Sequence, residues 1–439
     1  MKPVTQAAAA VAGRALAAVA ASAAMSMVLV SSCHASADEE SALQLADTTP
    51  QDRPDTARAW QLSVEAAGLE TEDHDAHWDA TQRVSIDGSL HGGLPGTHGW
   101  QWRVADRLDA FGPDRPPGQR PAINTLKDLY AGGPVGGELS LDIGRINTRY
   151  GVAYGWNPTD AFRTDAVRVI SSPDPASLRE NRLGTVMLRG QRLWDGGSLT
   201  AIVAPRLAGH PSDAGSSLDL GATNRRTRWL LAATQRLGDD FAPQWLVWHD
   251  GESPGSPRLG VNLTHLLGPA CVAHLEAAGG RVPSRLAVAQ GRAGAEIDWR
   301  GEVAAGATCT DAWNQSLTLE FEHDGEALDA AGWRALRAGP PAALEAYAVE
   351  AQRGLDPLTS NQVFAQLRWT NAGIAQLDLS SYASWSLADH SHTTWLEARY
   401  HWARTDVAAQ WQVNAGGAST EHGLAPAHRA AQLLVRHWF

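Results

Sequence analysis

Lysine is nearly absent from this 439-residue chain: Lys2 and Lys127 are the only two, and the rest of the positive charge is arginine. Charged residues of both signs make up only 19% and the formal charge is −12, so there is no basic surface for nucleic acid. Cysteine is scarce, with three residues and no C-x-x-C pair, which removes the paired-thiol redox and zinc motifs. Past residue 30 no stretch approaches the roughly 18 consecutive apolar residues of a membrane helix. H-E-x-x-H and P-loop signatures are missing too, and with them the zinc-hydrolase and nucleotide-binding readings. What the chain has instead is 18 Trp, 42 Gly and 44% hydrophobic residues, with room for one large core or two ordinary domains.

The first segment reads as an address. Lys2 and Arg14 precede an Ala/Val-rich run from Ala15 to Val30, and an Ala35-Ser36-Ala37 site stands just before the chain turns acidic at Asp38. A positive start, an apolar middle and an A-x-A site describe a secretory signal peptide over residues 1–37. Two alternatives are an uncleaved anchor and lipoprotein processing at Val30-Ser31-Ser32-Cys33. Residues 38–57 are acidic and without period, which predicts a disordered extension. Export places Cys271 and Cys309 in an oxidising compartment, where a disulfide is allowed. An exported chain without a membrane helix can enter lipid only as a closed barrel, because nothing else satisfies its backbone groups there.

From residue 58 onward period-two alternation dominates. Leu317, Leu319 and Phe321 oppose Thr318, Glu320 and Glu322; Leu396, Ala398, Tyr400 and Trp402 oppose Glu397, Arg399 and His401; Trp100, Trp102 and Val104 oppose Gln101 and Arg103. A soluble sandwich also alternates. Here the apolar face carries Trp and Tyr near strand ends, and the polar face carries both charge signs, as an interfacial girdle and a wet lumen require. The segments predict an all-β fold: a transmembrane antiparallel up-and-down barrel of about eighteen strands, with sixteen as the alternative, over residues 58–439. The expected strands are 58–68, 82–90, 97–107, 122–131, 137–146, 182–191, 197–205, 226–236, 243–250, 258–266, 270–278, 295–309, 315–323, 362–371, 374–386, 393–403, 406–416 and 429–439. Links from even to odd strands are all short, and many hold turn formers such as Asp195-Gly196 and Gly268-Pro269. Links from odd to even strands include the long 147–181, 206–225, 279–294 and 324–361. Short turns on one side and long loops on the other are what a barrel with periplasmic turns and external loops displays.

The last residues, Ala431 to Phe439, place Ala431, Leu433, Val435 and Phe439 on one face. They resemble the C-terminal strand of outer-membrane barrels, which typically ends on Phe; that resemblance implies that Phe439 is read by the barrel assembly machinery. The mature chain as a whole resembles porin-like channels of the Gram-negative outer membrane. The stretch Leu141-Asp-Ile-Gly-Arg-Ile-Asn147 with Gly155-Trp-Asn-Pro-Thr-Asp160 looks loosely like alginate-export-type and uncharacterised porin families. In porin-like channels the third external loop commonly folds inward, so the resemblance implies that loop 147–181 narrows the pore. Arg149, Trp156, Asn157, Asp160, Arg163 and Arg168 are its candidate constriction residues. A surface loop stitched by its own ion pairs is the competing reading.

The candidate lumen set is Arg103, Glu138, Asp142, Glu296, Asp298, Arg300, Glu302, Glu320, Glu322, Arg368, Glu397 and Arg399. Glu296, Asp298, Glu302, Glu320 and Glu322 predict an acidic wall on two adjacent strands, opposed by Arg103, Arg368 and Arg399; rings and walls of charge select ions. Local pairing across strands is the equally weighted alternative. The net charge favours a weak cation preference. Cys271 begins one strand and Cys309 ends its antiparallel neighbour, at the same periplasmic edge, which predicts their disulfide. His/acid groups at Asp73-His74-Asp75 with His77 and Asp79, and at Asp389-His390 with His392, are of metal-ligating type, but loops hold such groups poorly, so neither metal nor cofactor is expected. Leu328–Arg337 predicts a short helix packed within its loop. The function expected is passive diffusion of small polar solutes through an outer-membrane channel, not an enzyme; a plugged receptor or scaffold barrel is the alternative. Lipid, the assembly machinery and a small polar solute are the expected partners, nucleic acid is not, and a homo-oligomer stays open.

Overall fold

The computed structural model describes residues 59–439 apart from 116–118, 210–220, 239–240, 252–253 and 295. The expected leader and the 38–57 extension lie outside the described residues. Every segment of period-two alternation is a strand. They are β1 (Trp60–Glu72), β2 (Trp78–Gly93), β3 (Gln101–Phe111), β4 (Ala122–Gly136), β5 (Leu139–Ile146) and β6 (Thr185–Trp194). β7 (Gly197–Ala204), β8 (Arg228–Gln235), β9 (Gln244–Asp250), β10 (Arg258–Leu266), β11 (Cys271–Pro283) and β12 (Ile297–Thr310) follow. The last are β13 (Gln315–Asp324), β14 (Asn361–Trp369), β15 (Leu377–Ser386), β16 (His392–His401), β17 (Thr405–Ala415) and β18 (Arg429–Trp438). The barrel therefore has eighteen strands, not sixteen. Boundaries moved where pairing outlasts the hydrophobic pattern: β11 runs to Pro283 and β2 starts at Trp78, because each keeps bonding to its neighbour through small or polar residues.

Each strand pairs antiparallel with the next in sequence, and β1 pairs with β18 from Ser63↔Trp438 to Glu72↔Arg429, so no edge is left open. Turn chemistry sits where the parity places the short side. Asp195-Gly196 closes the β6–β7 hairpin with Gly196 at φ 73°, a conformation that costs a Cβ-bearing residue strain.

The two faces are inverted relative to a soluble barrel. Outward residues such as Ile86, Ile143 and Leu433 are 47–58% exposed, whereas inward Glu65, Arg107 and Asp109 are 0–3% exposed. Exposed aromatics cluster near strand ends, with Trp60 and Trp78 opening β1 and β2 and Trp313 and Trp402 in short turns. Phe439 faces outward beside Leu433 and Val435, its amide bonded to the Leu62 carbonyl of β1. An apolar band between aromatic girdles around a polar interior suits lipid outside and water inside. No helix among the described residues is long and apolar enough to cross a membrane.

Among the described residues four α-helices lie in the long links: α1 (Pro175–Glu180), α2 (Arg285–Ala289), α3 (Ala330–Arg337) and α4 (Pro341–Gly354). α3 is the helix the sequence predicts. The Asp329 carboxylate caps it by accepting from Gly332 N at 2.7 Å, and Trp333 and Leu336 are buried against Tyr347 of α4. Leu358 of the same link joins that cluster with Leu286, Ala388 and Leu424 from three others, so the links share a small core of their own.

Candidate pore

The interior face has three regions. At the seam, Glu65 of β1 accepts from Arg83 (2.8 Å), Arg107 (3.0 Å) and Arg436 (2.6 Å), on β2, β3 and β18. Asp109 takes further bonds from Arg107 and Ser85. On β6–β9, Met187, Ile202, Ala204, Leu230, Ala232, Leu246 and Trp248 make an apolar wall, which is unusual for a wet lumen. Its explanation is that Phe162 of the 147–184 segment packs on it, with Tyr150 and Ala161 beside it.

The third region is the β11–β14 wall, and it receives the same segment. Glu276 of β11 accepts from the amides of Val152 (2.9 Å), Ala153 (3.1 Å) and Thr159 (2.6 Å), from the Thr159 hydroxyl (2.8 Å) and from Asn157 Nδ2 (3.0 Å). Glu320 of β13 accepts from Tyr154 N (2.6 Å) and Gly155 N (2.8 Å), with His274 Nε2 2.7 Å away. Asp174 meets Arg368 of β14, and Ser172 accepts from Gln410 of β17. Irregular backbone inside a barrel must find partners for its N–H groups, and inward carboxylates supply them.

Ion pairs tie the segment to itself and to the long β13–β14 link. Arg182 holds Asp160 at 2.7 Å. Arg163 pairs with Asp356 and lies over the Trp156 ring, whose Nε1 donates to the same carboxylate at 3.2 Å. Burial alone would raise the Asp356 carboxyl, but Arg163 and Arg285 outweigh it and hold it below its usual range. Arg353 and Asp165 pair at 2.7 Å. Arg168 donates to the Asn124 carbonyl at 2.6 Å, and Arg149 is exposed.

The candidate residues divide accordingly. Glu302, Glu320 and Glu322 lie inward and buried on β12 and β13, and Glu302 holds Arg258 at 2.6 Å. Arg300 donates to the Gly325 carbonyl, and Asp142 pairs with Arg189 at 2.8 Å. Three acidic residues do not belong to that wall. Glu296 precedes β12 and is half-buried, paired with Arg292 at 2.8 Å, and Asp298 is exposed near the start of β12. Glu138 is in the β4–β5 turn, exposed, 3.6 Å from Arg192. All three continue the alternation in sequence but fall where the strand has reached the barrel rim. The opposed basic wall does not form: Arg103 pairs with Asp128, Arg368 with Asp174, and Arg399 with Glu397 two residues away. Local pairing won because each arginine finds a carboxylate within reach.

Several residues that shape this interior stand outside the sequence-derived set: Glu276, His274, Glu65, Arg83, Arg107, Arg258, Asp356 and Arg436. His274 and Glu276 are an alternating polar pair in Val-Ala-His-Leu-Glu-Ala-Ala, a signal muted by the small apolar residues around them.

Glu322 differs from its neighbours. It is buried, its Oε1 has no hydrogen-bond partner, and it borders a cavity of about 350 Å³. Trp156, Arg179, Phe364, Tyr382, Glu421 and His422 line the same cavity. Glu421 is itself bonded to Leu358 N and the Thr359 hydroxyl. Cys271 and Cys309 form a disulfide between residues directly opposite on β11 and β12. Asp73, Asp75 and His77 converge in the first link, on an exposed surface.

No family model and no curated protein sequence matches the chain. Solved structures do. OccAB1 of Acinetobacter baumannii superposes with a TM-score of 0.57 at 7% identity, over 87% of this chain and 96% of that one. The outer membrane protein opdK of Pseudomonas aeruginosa gives 0.53 at 12% identity, over 87% and 98%. OpdK with vanillate gives 0.54 at 10% identity over the same shares. The chain shares the closed-barrel fold of these outer-membrane proteins. At these identities the fold is what is shared.

Proposed function

We propose that this protein is an outer-membrane channel for passive diffusion of small polar solutes or ions, and that the 147–184 segment is its constriction. The observation that carries this is a closed eighteen-stranded barrel with an apolar outside, a charged inside and one long link bonded to the inner wall. Water fills what the segment leaves open, and solutes cross beside it under the field of the flanking charges. Among the described residues, the partners of Glu276, Glu320 and Glu421 are amides, hydroxyls and a histidine and not arginine or lysine, which supports a weak cation preference. The vanillate complex shows that a neighbouring barrel takes a small aromatic carboxylate; no solute is carried over from it. The looser likeness of 141–147 and 155–160 to alginate-export-type families likewise names no cargo. Insertion of the chain by the barrel assembly machinery through its Phe439-ended strand belongs to the same proposal.

Planar-bilayer recording tests it. Discrete conductance steps, with a reversal potential displaced toward cation selectivity in a salt gradient, are expected. Deleting 156–170 should raise the conductance. A barrel that inserts without conducting would instead be a plugged receptor or scaffold, and an unchanged conductance after the deletion would remove the constriction.

A further inference from the structure

The register of three neighbouring strands explains how a long link is seated inside the barrel. His274 of β11, Gly306 of β12 and Glu320 of β13 lie in one row across the wall, and Glu276, Ala304 and Glu322 lie in the next. The middle strand thus offers only Gly306 and Ala304 inward, between flanking strands that offer long polar side chains. A Cβ at Gly306 would stand 2.9 Å from His274 Nε2 and 2.7 Å from Glu320 Cγ, so glycine is what lets those two side chains meet over β12. Gly155 repeats the device from the other side: a Cβ there would meet Phe364 at 2.7 Å and collide with the Glu322 carboxylate. The wall has a shallow trough, and the segment that occupies it brings its own glycine.

We infer that Glu276 and Glu320 are positioning residues, a pair of acceptor-only carboxylates that seat residues 152–159 in the lumen; this rests on the channel reading above. The chemistry requires carboxylates. Glu276 receives five hydrogen bonds, two on Oε1 from Thr159 and three on Oε2 from Val152, Ala153 and Asn157. A glutamine has one acceptor oxygen and one NH₂ group. Either orientation turns that NH₂ toward at least one backbone N–H, Thr159 N on one side or Val152 N and Ala153 N on the other, so part of the seat is lost while shape and volume are kept. Glu320 poses the same problem with Tyr154 N on one oxygen and Gly155 N on the other. Buried donors left without partners cost about 1–3 kcal/mol each, enough to release a short segment without unfolding the strands.

The test reads the segment and the pore separately. Ala153 is 1% exposed, so an Ala153→Cys thiol should react slowly with a small hydrophilic thiol reagent in the otherwise native barrel. Adding Glu276→Gln should raise that labelling rate severalfold. A thiol at Ala408, 0% exposed in the seam, should stay protected, showing that the barrel itself has not loosened. Glu320→Gln should act in the same direction, and Thr159→Val, which removes one donor and no charge, more weakly. Thr159→Val also keeps the inference open to test should Glu276→Gln fail to fold. Unchanged labelling at residue 153 in every variant would overturn the inference. In bilayers, Glu276→Gln should increase open-channel noise and mean conductance. Faster labelling with unaltered conductance would uphold the seat and remove the constriction reading, so the two failures are distinct.

Discussion

Two patches of the same interior bury glutamates in opposite ways. At the β18–β1–β2–β3 seam, Glu65 is surrounded by three arginines. On the β11–β13 wall, Glu276 and Glu320 are surrounded by amides, hydroxyls and a histidine. The first arrangement neutralises charge and joins the chain's two ends into one wall. The second spends its acceptor capacity on a segment that crosses the lumen. A carboxylate bonded to strand side chains belongs to the barrel; one bonded to loop backbone belongs to the pore.

The largest expected effect lies at the seam. Glu65→Ala leaves Arg83, Arg107 and Arg436 crowded and short of a counter-charge, and breaking one partner of a buried ion network costs about 3–5 kcal/mol. Urea unfolding in detergent, followed by tryptophan fluorescence, should show that loss. A loss below that of a typical surface substitution would erase the contrast between the two patches.

The β11–β12 pair has a covalent fastening that the seam lacks. Replacing both Cys271 and Cys309 by Ala should lower stability by about 2–4 kcal/mol, the usual range for a disulfide. Mass measurement after alkylation, with and without reductant, should first show the pair oxidised. The loss should fall on unfolding and leave conductance steps as they were, because both residues lie at the short-turn ends of β11 and β12, away from the 152–159 seat.

The external links extend the contrast to pH. Burial pushes His422 down to about 4 from its ordinary 6.5, against the opposing pull of Asp389. A depressed histidine binds fewer protons in the folded state, so its contribution is fully present above pH 6.5 and is lost as pH falls toward 4. Trp333, bonded to Asp389, is a fluorescent reporter in the same cluster. Its signal should change between those limits, and His422→Gln should flatten the change. Glu421, raised by burial, titrates in the opposite sense and moderates the slope. A response that His422→Gln leaves intact would assign it to the carboxylates instead.

How much of this the sequence shows depends on what each pattern encodes. Alternation and the parity of link lengths give the eighteen strands, their order and the inside of each, because a period of two is local and a skipped strand would invert every later link. The disulfide follows from the same parity. Partner choice is not local. Glu320 and Glu302 read alike in sequence, yet one receives loop amides and the other Arg258. Glu65 looks like any polar strand residue until closure brings Arg436 to it from 371 positions away. Glu296 and Asp298 show the converse: an alternation that is correct in phase but runs past the rim.

The smallest energetic effect, and the most informative about selectivity, is expected at Glu322. Its Oε1 makes no hydrogen bond, so Glu322→Gln exchanges the carboxyl group for an amide without stranding a donor. The barrel should keep its stability within about 0.5 kcal/mol, as substitutions away from bonded networks usually do. The carboxyl group, however, borders the cavity that Arg179 and Glu421 share. At a pH that ionises it, removing it takes a negative charge from the pathway, so the reversal potential in a salt gradient should move toward anions. Asp142→Asn, where the lost charge is paired with Arg189, should also move it in that direction but cost stability as well. If Glu322→Gln leaves the reversal potential where it was, solutes do not pass beside this carboxylate, and the pathway runs past the arginines of the 163, 258 and 285 cluster instead.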